Sequence, residues 1–225
     1  MGRLQKIFPS HQIDVMVGSL LGDARLECRS SGKRYPISAR LRIHQGEKQK
    51  DYVFWKYEQL KNLVFCGPRR IKAGHDKKRD KDWFSWYFHT QTREEFGALY
   101  HDLYRGGIKI IPEDLFEHLT PRALAVWFMD DGSNNGETCT ISTHNFSWEE
   151  QNKIVRFFVE RYDIRSSIQK DRTKFKVYMG RREYEKLKAV ITPFIIPSMT
   201  YKICNPRNDL FSNRTEQIRQ ASLVV

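Results

Sequence analysis

Two apolar stretches that each close on aspartate constrain this chain more than anything else in it: Ile13 to Asp23, and Pro121 to Asp131. A helix that is apolar nearly all round has to be buried. Val17-Gly18-Ser19-Leu20-Leu21-Gly22-Asp23-Ala24 and Leu124-Ala125-Val126-Trp127-Phe128-Met129-Asp130-Asp131-Gly132 both carry small residues. Small residues let two helix backbones approach closely, so the two helices are expected to pack on each other at the centre of the molecule. Thr120-Pro121 supplies a capping residue and a first-turn proline for the second helix.

The acidic ends are the chemical clue. An aspartate at a helix C-terminus faces the negative end of the dipole, and two such ends brought together add carboxylate repulsion. A divalent cation offsets both penalties, and Mg²⁺ favours carboxylates, backbone carbonyls and water. Taken singly, each aspartate also reads as an ordinary helix-ending turn. The pair says more, because Asp23 and Asp131 lie 108 positions apart in a chain of 225. Each half also ends near an Ile-Ile-Pro, at 110–112 and 195–197. This predicts an internal duplication, with halves at 1–112 and 113–225 and a pseudo-two-fold monomer.

Between the acidic ends, period-two alternation marks strands. In 37–45, Ile37, Ala39, Leu41 and Ile43 oppose Ser38, Arg40, Arg42 and His44; in 83–91, Phe84, Trp86 and Phe88 oppose Ser85, Tyr87, His89 and Gln91. The second half repeats the theme. Cys139 and Ile141 oppose Thr138, Thr140, Ser142 and His144, while Phe175, Val177 and Met179 oppose Lys174, Lys176 and Tyr178. Helices expected over 52–64, 93–104, 148–162 and 181–190 would cover the apolar faces. The fold class is then α+β, with two antiparallel sheets and helices on one side.

The opposite faces are wet, and acids are scarce on them. Arg, Lys, His, Gln, Ser and Thr can donate to phosphates or to base edges in a major groove. The stretch holding Arg69, Arg70, Lys72, His75, Lys77, Lys78, Arg79 and Lys81 is expected as a basic connection beside such a face. Net charge is +12, divided unevenly: residues 1–112 hold 22 basic against 12 acidic side chains (+10), and the remainder 17 against 15 (+2). A surplus of this size suits a partner rich in phosphate. Cys28, Cys66, Cys139 and Cys204 are scattered without a CxxC pair, which predicts free thiols in a reducing compartment and no zinc site. No apolar run approaches the ~18–20 residues that span a bilayer, and no signal peptide is visible. A soluble intracellular protein is expected, in an organelle or a prokaryotic cytoplasm, with no membrane and no protein partner required.

These residues resemble the LAGLIDADG homing endonucleases in their two-motif, single-chain form. Residues 16–24 match the motif loosely and 124–132 match it better. Leu119-Thr120-Pro121 and Pro197-Ser198-Met199-Thr200-Tyr201-Lys202 resemble the yeast mitochondrial intron-encoded branch, and the likeness runs over roughly residues 12–204. Ala24 stands where the first motif has glycine. Val126 replaces the first glycine of the second motif and is expected to widen the helix contact slightly.

The resemblance implies two αββαββα-like halves whose sheets form a DNA-binding saddle. It implies a long asymmetric duplex target, cut in both strands across the minor groove to leave 3′ overhangs. It assigns the metals, two or three Mg²⁺ ions, to the last aspartate of each motif, hence to Asp23 and Asp131. Backbone carbonyls of Gly22 and Asp130 are added ligands, and Lys109 and Lys202 fall where related enzymes keep a lysine near each site. The DNA-facing set is Arg25, Ser38, Arg40, Arg42, His44, Arg69, Arg70, Lys72, Ser85, Tyr87, His89, Gln91, Thr138, Thr140, Ser142, Lys174, Lys176 and Tyr178.

Two alternatives share the scaffold: an intron RNA-splicing maturase and a non-cleaving DNA-binding regulator. Retention of Asp23 and Asp131 argues for cutting. An intein would need a splicing domain, for which the chain is expected to have no room.

Overall fold

The computed structural model describes residues 2–28 and 38–204. After a short helix α1 (Gly2–Gln5), helices α2 (Ser10–Leu21) and α5 (Pro121–Asp131) run parallel through the core. Their starts are tied by Thr120, whose hydroxyl donates to Asp14 at 2.7 Å and also caps α5 by accepting from the Ala123 backbone N–H. Every residue of α5 from Ala123 to Asp130 is buried.

Glycine sets the distance between these helices. A Cβ at Gly18 would lie 2.3 Å from the Ala123 carbonyl oxygen and 2.7 Å from Val126 Cβ, and one at Gly22 would lie 2.5 Å from Asp130 Cβ. Val126 therefore fills the room that Gly18 leaves. Because the helices are parallel, their C-terminal ends finish side by side.

Each helix leads into the same sequence of elements. The first lobe continues with β1 (Arg25–Glu27), β2 (Arg40–Gly46), α3 (Lys50–Leu60), β3 (Arg69–Asp76), β4 (Lys81–His89) and α4 (Glu94–Leu103). The second continues with β7 (Gly132–Asn134), β8 (Cys139–Ile141), α6 (Trp148–Tyr162), β9 (Ser167–Asp171), β10 (Lys174–Met179) and α7 (Arg181–Ile191). Both lobes build a four-stranded antiparallel sheet, in the orders β1-β2-β4-β3 and β7-β8-β10-β9. A small hairpin, β5 (Tyr104–Arg105) with β6 (Ile108–Lys109), joins the lobes and has no counterpart among the elements expected from the sequence.

The expected α+β class with antiparallel sheets and a shared helical interface is what the chain adopts. The alternation of Leu41 and Ile43 against Arg40, Arg42 and His44 holds, with the apolar members buried. Ile37 lies outside the described residues, and Ala39 makes an isolated bridge to Arg93. Ser147 and Glu150 form a capping box that starts α6 where the pattern places it.

The basic connection departs from expectation: Arg69 to Asp76 is an edge strand that turns directly into β4. Cross-strand pairing with Tyr87, Ser85 and Phe84 supplies the hydrogen bonds that a solvated loop would lack. Among the described residues, no helix is long and apolar enough to cross a membrane. Among the described residues none of the four cysteines forms a disulfide.

Candidate active site

The parallel packing of α2 and α5 brings their acidic ends together, with Asp23 exposed, Asp131 half-buried and Asp130 buried between the surrounding elements. Gln45 sits on the inner side of β2, buried with Leu41 and Ile43. Its amide donates to Asp23 Oδ2 at 3.0 Å and to Asp130 Oδ1 at 2.9 Å. Lys56, on α3, enters from the other side. Its ammonium lies 2.7 and 2.9 Å from the two Asp130 oxygens, and both side chains are 0% exposed. The Lys56 ammonium also stands 4.3 Å from the centre of the Tyr52 ring, whose hydroxyl donates to the Val126 carbonyl at 3.0 Å. A buried charge survives only when paired and hydrogen-bonded, and Asp130 meets that condition.

Asp131 is less well compensated. Burial, reinforced by the charges of Asp23 and Asp130, pushes its carboxyl up to about 7 against the pull of Lys109. Burial also pushes Asp130 upward, with Lys56 opposing. The two lysines expected near the site are both there. Lys109, delivered by the β5–β6 hairpin, donates to the carbonyls of Gly22 (3.1 Å) and Ala24 (2.9 Å). Lys202, at the end of the 3₁₀ segment 197–202, donates to those of Asp130 (3.3 Å) and Gly132 (2.7 Å). The two contacts are pseudo-symmetric, since Gly22-Asp23-Ala24 and Asp130-Asp131-Gly132 occupy matching positions. Burial lowers both lysines from their ordinary value, with Asp131 and Asp130 respectively the chief opposing charges. The carbonyls of Gly22 and Asp130 thus already serve ammonium groups.

The donor set is hard oxygen: the Asp23 and Asp131 carboxylates with backbone carbonyls beside them. Such a set fits magnesium or calcium and does not fit a soft metal. Burial first, and the neighbouring charges of Asp23 and Asp130 after it, make the ionised Asp131 carboxylate costly, and a hard cation there would offset that cost. Sequence reasoning missed Gln45, Lys56 and Tyr52. Gln45 follows the inward parity of Leu41 and Ile43, so that polar residue on an apolar face was the available signal. Lys56 looks like any surface helix lysine until α3 is docked.

The sheets' open faces carry most of the remaining candidates. Cross-strand partners share a face, so Arg25, Arg42 and His89 form one row, and His44 and Tyr87 pair in the next. Glu27, which the alternation does not single out, sits among three guanidiniums: Arg25 at 2.9 Å, Arg40 at 2.8 Å and Arg42 at 3.1 Å. Against the cost of its burial, their hydrogen bonds pull its carboxyl down to about 2. Arg42 also lies over the Tyr87 ring, 5.0 Å from its centre, and Tyr87 stacks on His89 at 5.6 Å. Burial and the nearby arginines lower both His44 and His89.

Arg69 pairs with Tyr87 on this face, whereas Arg70 and Lys72 pair with Trp86 and Phe84 and so point to the other side. There they are engaged, Arg70 by Glu47 at 3.0 Å and Lys72 by Asp82 at 2.6 Å. Ser85 is buried and bonded to His44 at 2.7 Å. Ser38 and Gln91 are half-buried at the strand ends.

In the second lobe, Tyr178 pairs with Thr140 and Ser167, Lys176 with Gln169, and Lys174 with Asp171. Thr140 is buried, Thr138 and Ser142 half-buried. Asp171 engages Lys176 and His144, each at 3.2 Å. Ser167 and Gln169 are open-face residues absent from the expected DNA-facing set.

A solved structure shares this two-lobed architecture: the homing endonuclease I-WcaI bound to its DNA recognition sequence. It superposes with a TM-score of 0.77 at 24% identity, over 87% of each chain. A model described as the LAGLIDADG DNA endonuclease family matches residues 13–187, and the chain belongs to that family. It is 32% identical over 205 residues to the cytochrome b mRNA maturase bI2 of Saccharomyces cerevisiae, covering 86% of this chain and 47% of that one. It thus spans about half the length of that relative. It is also 28% identical over 211 residues to the DNA endonuclease I-ChuI of Chlamydomonas applanata, covering 85% and 94% of the two chains.

Proposed function

We propose that this chain is a site-specific endonuclease that binds a long asymmetric duplex DNA on its two sheets and hydrolyses one phosphodiester in each strand. The observation that carries this reading is the meeting of Asp23 and Asp131 at the ends of two parallel buried helices, with Asp131 pushed up to about 7. Fold stability gains nothing from two carboxylates crowded where both helix dipoles are negative. A divalent cation such as Mg²⁺, held by these two carboxylates, would supply neutralisation of charge on the attacked phosphates.

The chain's own residues do the rest. Gln45 orients the Asp23 carboxylate. Lys109 and Lys202 bridge the backbone on either side of the two aspartates and carry positive charge toward a phosphodiester. The arginines around Glu27 and the lysines of β10 meet the DNA backbone, and Tyr87, His89 and Gln169 face its base edges. Two or three ions and a 3′-overhanging product are part of this reading, as is action by a single chain.

One observation favours a second reading, the intron RNA-splicing maturase: a relative 32% identical over most of the chain is named an mRNA maturase. A single experiment separates them. A randomised duplex library is incubated with the wild type and with Asp131→Asn, each with Mg²⁺ and with EDTA. Enrichment of one long site, cut in both strands only by the wild type with Mg²⁺, supports the endonuclease. Absence of cutting together with specific capture of a structured RNA transfers the assignment to the maturase.

A further inference from the structure

The two acidic ends are not chemically equivalent, and the difference lies in residues that the duplication does not repeat. Beside Asp23 stands a continuous hydrogen-bonded chain, from Lys56 Nζ to Asp130 Oδ1 (2.7 Å), from Gln45 Nε2 to that same oxygen (2.9 Å), and from Gln45 Nε2 to Asp23 Oδ2 (3.0 Å). The counterpart of Gln45 in the second lobe follows from strand register. Arg25 pairs with Arg42, and Ser133, which stands two residues after Asp131 as Arg25 does after Asp23, pairs with Thr140. Gln45 therefore corresponds to Thr143. Thr143 is fully buried and its hydroxyl donates to Gln151 at 3.0 Å, toward α6 and not toward the acids. Gly22 occupies the first-helix position that Asp130 occupies in the second, so only one motif contributes an extra carboxylate.

Resting on the endonuclease reading, we propose that Lys56 is a positioning residue: acting through Asp130 and Gln45 it fixes the Asp23 carboxylate, and so makes the two strand cuts unequal in rate. Both oxygens of Asp130 are occupied by Lys56, one of them shared with Gln45, which leaves that carboxylate a fixed anchor. Gln45 spends both amide hydrogens on two carboxylate oxygens, which ties its side chain at both partners. Asp23 consequently presents its other oxygen in a set direction. Asp131 has no comparable anchored chain among the described residues. Removing the anchor should release Gln45 and let Asp23 turn, with no direct effect on Asp131.

The test uses a linear duplex carrying the site recovered from the library, with each strand end-labelled separately. The wild type is expected to nick one strand before the other. Lys56→Met alone would strand a buried carboxylate and endanger folding for that reason, so the informative protein is Lys56→Met with Asp130→Asn, which is neutral and nearly isosteric. Its melting temperature and its affinity for the site in Ca²⁺ are measured alongside. The expected result is that one strand slows by about tenfold or more, as loss of one oriented hydrogen bond in a transition state would give, while the other changes by less than about twofold and affinity is kept. Equal slowing of both strands, or of neither, in a folded and binding double variant overturns the positioning role. A wild type that cuts no duplex overturns the nuclease reading instead, and this inference falls with it.

Discussion

The two lobes share strand order and register but not surface chemistry. The first sheet gathers Arg25, Arg40 and Arg42 around Glu27 and stacks Tyr87 on His89, whereas the second offers Lys174, Lys176 and Tyr178, with Lys176 already held by Asp171. The charge follows, +10 in residues 1–112 against +2 in the rest. The repeated strand order thus keeps what packing demands and varies what solvent faces. The helix pair, the strand order and the lysines at the helix ends recur; the open faces and the anchor at Asp130 do not. Under the endonuclease proposal, a molecule built in this way would grip two half-sites with different strength.

The largest expected effect tests the symmetric part. Asp23→Asn and Asp131→Asn should each lower cleavage by at least on the order of 1000-fold while leaving site binding largely intact, because each removes an interaction that matters mainly in the transition state. Gel-shift binding beside cleavage assays checks this. Weak binding by either variant would count against the acids as a purely chemical pair.

Next comes the shared spine. Gly18→Ala places a Cβ 2.3 Å from the Ala123 carbonyl oxygen, and should cost about 1–3 kcal/mol of stability by overpacking. Gly74→Ala, whose Cβ would meet nothing within 4 Å, should stay within about 0.5 kcal/mol. Thermal unfolding of the two variants gives the contrast directly, and a similar melting temperature for both would show that the helices can separate without penalty.

A smaller effect follows pH. With its carboxyl raised from 3.8 to about 7, folded Asp131 binds a proton that the unfolded chain releases. The metal-free protein therefore loses stability as pH rises through that window. A divalent cation needs the ionised form, so the rise in melting temperature on adding Mg²⁺ should be larger at pH 8 than at pH 6. An equal rise at both values would separate Asp131 from the cation site.

The smallest effect sharpens the asymmetry of the faces. Arg40→Ala with Arg42→Ala should weaken duplex binding more than Lys174→Ala with Lys176→Ala, since three guanidiniums share the single charge of Glu27 and leave a surplus of two, whereas Lys174 and Lys176 beside Asp171 leave a surplus of one. Each phosphate that the variant no longer neutralises should reduce the log–log salt slope by about 0.9. Fluorescence anisotropy over a salt series measures both, and an unchanged slope for either pair removes it from the backbone interface.

Much of this is legible in the sequence because it is local. An apolar helix with glycine at Gly18 and Gly22, a Thr-Pro start at 120–121 and strict alternation in 40–46 report their environment through residue type alone. The edge strand β3 is less legible, since a run of Arg, Lys and His has no apolar face and acquires its conformation from pairing with β4. The same pairing, with its shift between Lys72 and Gly74, decides that Arg69 shares the open face while Arg70 and Lys72 do not.

By itself the sequence determined that two buried helices end in acid, that sheets follow each, and that the chain is strongly basic. These follow from periodicity and composition, which every residue reports independently. Only the tertiary structure decided that the helices run parallel, so that Asp23 and Asp131 meet. The same is true of Lys56, which crosses from α3 to neutralise Asp130, and of Gln45, which bridges Asp130 to Asp23 over separations of 85 and 22 residues. Those contacts join positions far apart in the chain, and their energies come from mutual burial, which no single segment can express before the others have packed around it.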